Sequence, residues 1–236
     1  MNLFTSNILL DTSSFKLLII LAIILLTDIV LVASSRLFHC IKITAIQGIA
    51  VGLLPLFIWD WSNSTPTLQL WITSIVNAGI KGILLPILLS KAMRHSSIKR
   101  ELEPLVGYAA SVFIMLIIIV ASFWCGRLMH TQANAVANFS TPVALSTVGA
   151  GLFMIISRRK AITQVLGFLM FENGISIFGN GIGIEYGFII ELGILLDVLV
   201  LVFIMGITVF NINREFSHID SDRLNQLGDY DHSKQK

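Results

Sequence analysis

The stretch "QVLGFLMFENGISIFGNGIG", Gln164 to Gly183, is apolar enough for a membrane helix, yet it sets Glu172 and Asn173 side by side in its middle. An ionised carboxylate at the centre of such a helix costs about 2.5 to 3.5 kcal/mol on insertion scales. It therefore needs a counter-charge, a hydrated cavity, a proton or a function. The remainder of the chain has the same character: of 236 residues, 55% are hydrophobic and 13% charged, with a mean hydropathy of +0.84. Soluble domains carry about 25% charged residues. The composition predicts an all-α polytopic membrane protein, and no basic run interleaved with aromatics suggests a nucleic-acid partner.

A spanning helix needs about 20 mostly apolar residues. Seven segments qualify, near residues 15–35, 41–61, 67–91, 104–126, 138–157, 161–182 and 184–210, which predicts a seven-transmembrane-helix bundle. The fifth is weakened by Pro142 and by the "GAG" at 149–151, although small residues there also allow close helix packing. The N-terminus lacks the charged start and small-residue cleavage site of a signal peptide, so the first apolar segment is expected to be retained. No connection is long enough for a soluble domain. The tail from Glu215 is polar and mixed in charge.

Charge alternates along the connections. Arg36 and Lys42 fall in the first, Lys91, Arg94, Lys99 and Arg100 in the third, Arg158, Arg159 and Lys160 in the fifth, and Arg214 after the last helix. The intervening connections hold Asp60, Arg127 and Glu185. The positive-inside rule then places the N-terminus outside and the C-terminus in the cytoplasm, in agreement with an odd number of spans. The expected location is the inner (cytoplasmic) membrane. Cys40 and Cys125 fall near opposite ends of predicted spans, too far apart to pair across a bilayer core about 30 Å thick. All five histidines lie in connections or the tail, which argues against a metal or haem site within the spans.

Away from the ends of the spans lie five ionisable residues: Asp28, Lys81, Glu172, Glu191 and Asp197. At 1.5 Å per helical residue, Asp28 lies about 12 Å from Arg36, Lys81 about 15 Å from Lys91, Glu172 about 18 Å from Lys160 and Asp197 about 25 Å from Arg214. Lys81, Glu172 and Asp197 thus approach the midplane together. Glu191 sits about 9 Å further outward than Asp197 and about 120° around the same helix. Thr73, Asn77 and Lys81 share one helix face, as do Glu172, Ser176 and Asn180, and such polar faces should point toward neighbouring helices or a hydrated path. Two readings stand side by side. In one, buried ion pairs only orient helices. In the other, the acids are proton-relay stations, because burial favours the neutral carboxylic acid while a nearby ammonium favours the carboxylate. Asp28, nearest an end of its helix, is the weakest relay candidate: it could be a satisfied packing residue or reach toward the surface.

The segments "RRKAITQVLGFLMFENGISIF" and "FIIELGILLDVLVLVFIMGITVFNINREFSHIDSDRLNQL" resemble component E of hydrogenase-4, a membrane subunit of formate-hydrogenlyase-like complexes. The resemblance extends to "SSRLFHCIKITAIQG" and to "GIKGILLPILLSKAMRHS" around Lys81, and so covers most of the chain. Residues from about 140 onward also resemble the three-helix K subunit of complex I and the C subunit of Mrp-type antiporters. The K subunit carries two membrane glutamates in a proton path; by position Glu172 matches the first and Asp197 the second, the latter one methylene shorter. The resemblance implies a four-helix part at 1–135, a K-subunit-like part at 136–214 and a polar tail at 215–236. It further implies a non-catalytic subunit of a respiratory complex, without a cofactor of its own. Its expected partners are antiporter-like membrane subunits and a peripheral redox arm carrying any nickel-iron or iron-sulfur centres. A scaffold subunit that moves no ions is the alternative, and a self-standing transporter or receptor a more remote one.

Overall fold

The computed structural model describes residues 12–34, 36–59, 65–95, 106–129, 135–158 and 161–182, together with the single positions 193 and 204. These residues form α1 (Thr12–Ala33), α2 (Leu37–Ile58), α3 (Leu68–Gly79), a π-helical turn (Ile80–Leu84), α4 (Leu85–His95), α5 (Tyr108–Leu128), α6 (Ala135–Ser157) and α7 (Ala161–Ile182). There is no β-strand among them. Six stretches, Phe15–Ala33, Leu37–Ile58, Leu68–Lys91, Tyr108–Leu128, Phe139–Ser157 and Ile162–Gly181, are long and apolar enough to cross a membrane. The chain fits a multi-pass membrane protein. The seventh expected span, 184–210, with Glu191 and Asp197, and the tail from 215 lie outside the described residues.

Helix ends differ from the sequence expectation where a long basic side chain can reach water from inside a helix. Lys42 lies within α2 and is exposed, rather than in the first connection, and Arg127 lies in the last turn of α5. Both side chains are long enough to lie along the apolar surface with the charge toward the headgroups. Arg127 also complements the negative end of its helix dipole. Pro142 does not break α6, which runs unbroken through it to Ser157.

Pro86 leaves a clearer mark. Proline has no N–H, and its ring crowds the carbonyl four residues earlier, here that of Gly82. The third span accommodates it by widening just upstream: the Leu85 N–H reaches back to the Ile80 carbonyl, and Lys81 lies inside the resulting π turn. α3 and α4 are thereby joined into one span with an altered azimuth at the lysine.

The interior is stacked in three levels. One apolar cluster joins Leu31 and Val32 of α1, Leu37, Cys40 and Ile41 of α2, Leu85 and Leu89 of α4, Met115 of α5, Met154 of α6 and Leu166 and Met170 of α7. A second joins Leu17, Leu21 and Ile24 of α1, Val51 and Leu54 of α2, Val143 and Ala144 of α6, and Ile177 of α7. Between them α1, α2, α6 and α7 place the buried polar residues Asp28, Gln47, Thr147, Glu172 and Asn173. The third span adds Lys81. Outward-facing Ile72 and Ile75 of α3, and Leu116, Val120 and Trp124 of α5, leave an apolar exterior suited to lipid.

Two close helix approaches hold the polar level together. A Cβ on Gly48 would fall 2.6 Å from the Lys81 carbonyl oxygen, so α2 lies directly against the π turn. On α6, a Cβ on Gly151 would come 2.5 Å from the Phe171 nitrogen, bringing α6 and α7 into backbone contact beside Glu172. The "GAG" segment is therefore a packing surface, as small residues in membrane helices commonly are.

Candidate functional site

Two polar centres share the middle level. In the first, Lys81 Nζ lies 2.8 Å from Glu172 Oε1, and both side chains are nearly sealed from the surface, 5% and 2% exposed. The widened turn presents the lysine toward α7, and Gly48 lets α2 close over its backbone. Neither Nζ nor either carboxylate oxygen makes a well-directed hydrogen bond, so the pair is held by charge contact. In a low-dielectric interior such a pair survives because each ion compensates the other, and removing one strands its partner.

The second centre surrounds Asp28, which is fully buried and does not reach toward the membrane surface. The Gln47 Nε2–H donates to Asp28 Oδ1 at 2.6 Å. Thr147 Oγ1 lies 2.7 Å from Asp28 Oδ2 and 3.0 Å from the Val143 carbonyl oxygen. Asn173 Nδ2–H donates to Gln47 Oε1 at 3.3 Å. One hydrogen-bonded group thus ties α1, α2, α6 and α7. It also explains Asn173, whose facing partner is Gln47 on α2. Because Glu172 and Asn173 are consecutive, they point about 100° apart, and α7 reaches the charged centre with one and the amide network with the other.

Of the five sequence-derived candidates, the structure brings Lys81 and Glu172 into contact and places Asp28 in the adjoining network. Glu191 and Asp197 lie outside the described residues. The expected stripes do not continue the site. Thr73 and Asn77 are only half-buried, and the Thr73 hydroxyl bonds to its own helix at Gln69 and Leu70. Asn180 likewise donates to the Ser176 carbonyl. The π turn Ile80–Leu84 begins just before Lys81, so the α-helical face of Thr73 and Asn77 does not continue through the lysine.

Sequence reasoning missed Gln47 and Thr147, uncharged residues in apolar runs at the depth of Asp28. Their signal was available, since every amide or hydroxyl in a spanning segment needs a partner, but it is common and weak. It also missed Arg158. This residue is 2% exposed, donates from Nη2 to the Val32 carbonyl at 2.8 Å, and holds its guanidinium 5.8 Å from the Tyr108 ring centroid. Burial pushes its pKa below the usual arginine value, while Tyr108 and Cys40 oppose the shift. A cation against the last carbonyls of α1 complements that helix's negative end. Cys40 and Cys125 are both free thiols, one buried and one exposed. Among the described residues no three His, Cys, Asp or Glu side chains are placed to share a metal ion.

No family model matches the chain, and no solved structure matches it. It is similar to an uncharacterized protein of Mycobacterium tuberculosis, with 28% identity over 207 residues, covering 87% of this chain and 93% of that one.

Proposed function

We propose that the chain is an integral membrane subunit of a hydrogenase-4-like, formate-hydrogenlyase-like or other complex I-related respiratory complex. In this reading it is not itself an enzyme. It contributes intramembrane carboxylates to proton or Na+ translocation, while redox chemistry on nickel-iron or iron-sulfur centres belongs to partner subunits. The N-terminus faces outward, the C-terminus faces the cytoplasm, and the membrane is the inner one.

The observation that carries the reading is the Lys81–Glu172 ion pair, buried at the middle level of a helical bundle. Intramembrane ionisable residues are expensive and mark ion pathways by default. Lysine opposite an acid also gives a carboxylate whose protonation responds to the position of one partner charge. In this mechanism Glu172 and Asp197 are protonatable stations and Lys81 sets the charge at Glu172. Glu191 is a candidate outer station. A second reading takes the same 2.8 Å contact as a scaffold device, in which the pair only fixes helix positions and the chain moves no ions. Replacing Glu172 by Gln in the assembled complex separates them: coupled ion movement is expected to be lost with assembly intact, and normal translocation in that variant would overturn the relay reading.

A further inference from the structure

Asp28 accepts from Gln47, Gln47 accepts from Asn173, and Asn173 is the chain neighbour of Glu172; among the described residues only Lys81 carries a positive charge in that polar level. The lysine is engaged by Glu172. Among the described residues the elements packed around Asp28 place no cation in contact with it: α2 presents Gln47, α6 presents Thr147, the buried polar residues of α5 are Ser111 and Ser122, and Arg158, just after α6, is turned to the Val32 carbonyl and the Tyr108 ring. Lys16 and Lys42, on α1 and α2, are exposed.

Proton counting at Thr147 then becomes informative. Its hydroxyl has one hydrogen and two oxygen neighbours, Asp28 Oδ2 at 2.7 Å and Val143 O at 3.0 Å. If Asp28 is ionised, the hydroxyl donates to Oδ2 and the Val143 contact lacks its own proton. If Asp28 is a carboxylic acid, Oδ2–H donates to Thr147 Oγ1, Thr147 donates on to Val143 O, and Gln47 still donates to Oδ1. Each short contact then has a hydrogen. Gain or loss of the one Asp28 proton, together with rotation of the Thr147 hydroxyl, converts one arrangement into the other without moving a heavy atom. Such a site accepts both protonation states of its acid, which a purely structural aspartate does not require.

We infer that Asp28 and Glu172 share a single proton against the one charge of Lys81. When Glu172 is the carboxylate paired with Lys81, Asp28 is the neutral acid. When Glu172 is protonated, Asp28 is the carboxylate, held by Gln47 and Thr147. The exchange breaks the Asp28 O–H bond and forms a Glu172 O–H bond, so one proton changes place and the three groups sum to zero charge in both forms. Asp28 is thereby a proton-binding site on the N-terminal half of the chain, coupled to the pair through charge balance. As part of translocation this rests on the reading above; as a statement of protonation it is tested without it.

The test is infrared spectroscopy of the full-length chain in lipid nanodiscs, following the carbonyl stretch of protonated carboxylic acids and its shift in heavy water. Asp28→Asn, which keeps the same donor and acceptor pattern, is expected to remove a protonated-acid band present in the native chain. Glu172→Gln leaves Lys81 without its carboxylate and is expected to remove the same Asp28 band. Lys81→Gln removes the charge both acids answer to, and is expected to add a second band that disappears with Glu172→Gln. An unchanged spectrum in Asp28→Asn, or persistence of the Asp28 band in Glu172→Gln, overturns the inference. The two readings fail separately. Normal translocation in Glu172→Gln with these band changes removes the relay and keeps the shared proton, whereas lost translocation with no Asp28 band does the reverse.

Discussion

The charged and neutral centres solve the same problem, a buried carboxyl group, by different means. Glu172 is compensated by an opposite charge at 2.8 Å with no well-directed hydrogen bonds, whereas Asp28 is compensated by an amide and a hydroxyl with no charge at all. The difference decides how each responds to damage. An ion pair concentrates its stabilisation in two groups, and losing one leaves the other uncompensated. A hydrogen-bonded network distributes it, and each member contributes about 1 kcal/mol net, more where its loss leaves a buried acceptor unsatisfied.

The largest effect is therefore expected at the charged centre. Lys81→Met should lower unfolding stability in detergent by about 3 to 5 kcal/mol, less whatever proton uptake at Glu172 returns. Pairing it with Glu172→Leu should recover most of that loss; a double variant as unstable as the single one would show that the pair is not the source of the cost. Gly151→Val comes next, because it inserts side-chain atoms where the α6 and α7 backbones touch, and overpacking costs about 1 to 3 kcal/mol. Thermal unfolding should show it, together with slower assembly.

At the neutral centre, Thr147→Val removes a hydroxyl and should cost about 1 to 3 kcal/mol, while Thr147→Ser should restore stability, since it keeps the oxygen that contacts Asp28 Oδ2. If valine proves harmless, Asp28 draws its stabilisation elsewhere. Asn173→Ala should be the mildest, about 1 kcal/mol, because the bond it deletes is long and neutral at 3.3 Å, although it leaves the buried Gln47 Oε1 without that donor. A loss at Asn173 as large as that at Lys81 would erase the contrast between the two centres.

Much of this arrangement was legible in the sequence because depth in a membrane is a count. Glu172 and Lys81 were placed at matching levels from their basic flanks, and they meet. Asp28 was counted about 12 Å from its anchor and given the weakest role. What counting could not supply was its company, since Gln47 and Thr147 are unremarkable residues until they are opposite an acid. The π turn had a cue in Pro86, which lies five residues beyond Lys81 in "KGILLP". Arg158 reads with Arg159 and Lys160 as part of a basic connection, although Arg158 itself is folded inward against Val32 and Tyr108.

By itself the sequence determined the six described apolar helices, their fit to a multi-pass membrane protein and the matching levels of Lys81 and Glu172. Those follow from length, hydropathy and a fixed rise per residue. The tertiary structure alone decided which face of each helix turns inward. In a soluble helix the polar side marks the surface, but lipid is as apolar as a packed core, so a spanning helix carries little periodic signal for its buried face. The meeting of Lys81 with Glu172, and of Asp28 with Gln47 and Thr147, is a matter of azimuth. Azimuth is set by where Gly48, Gly151 and the widened turn let the helices touch.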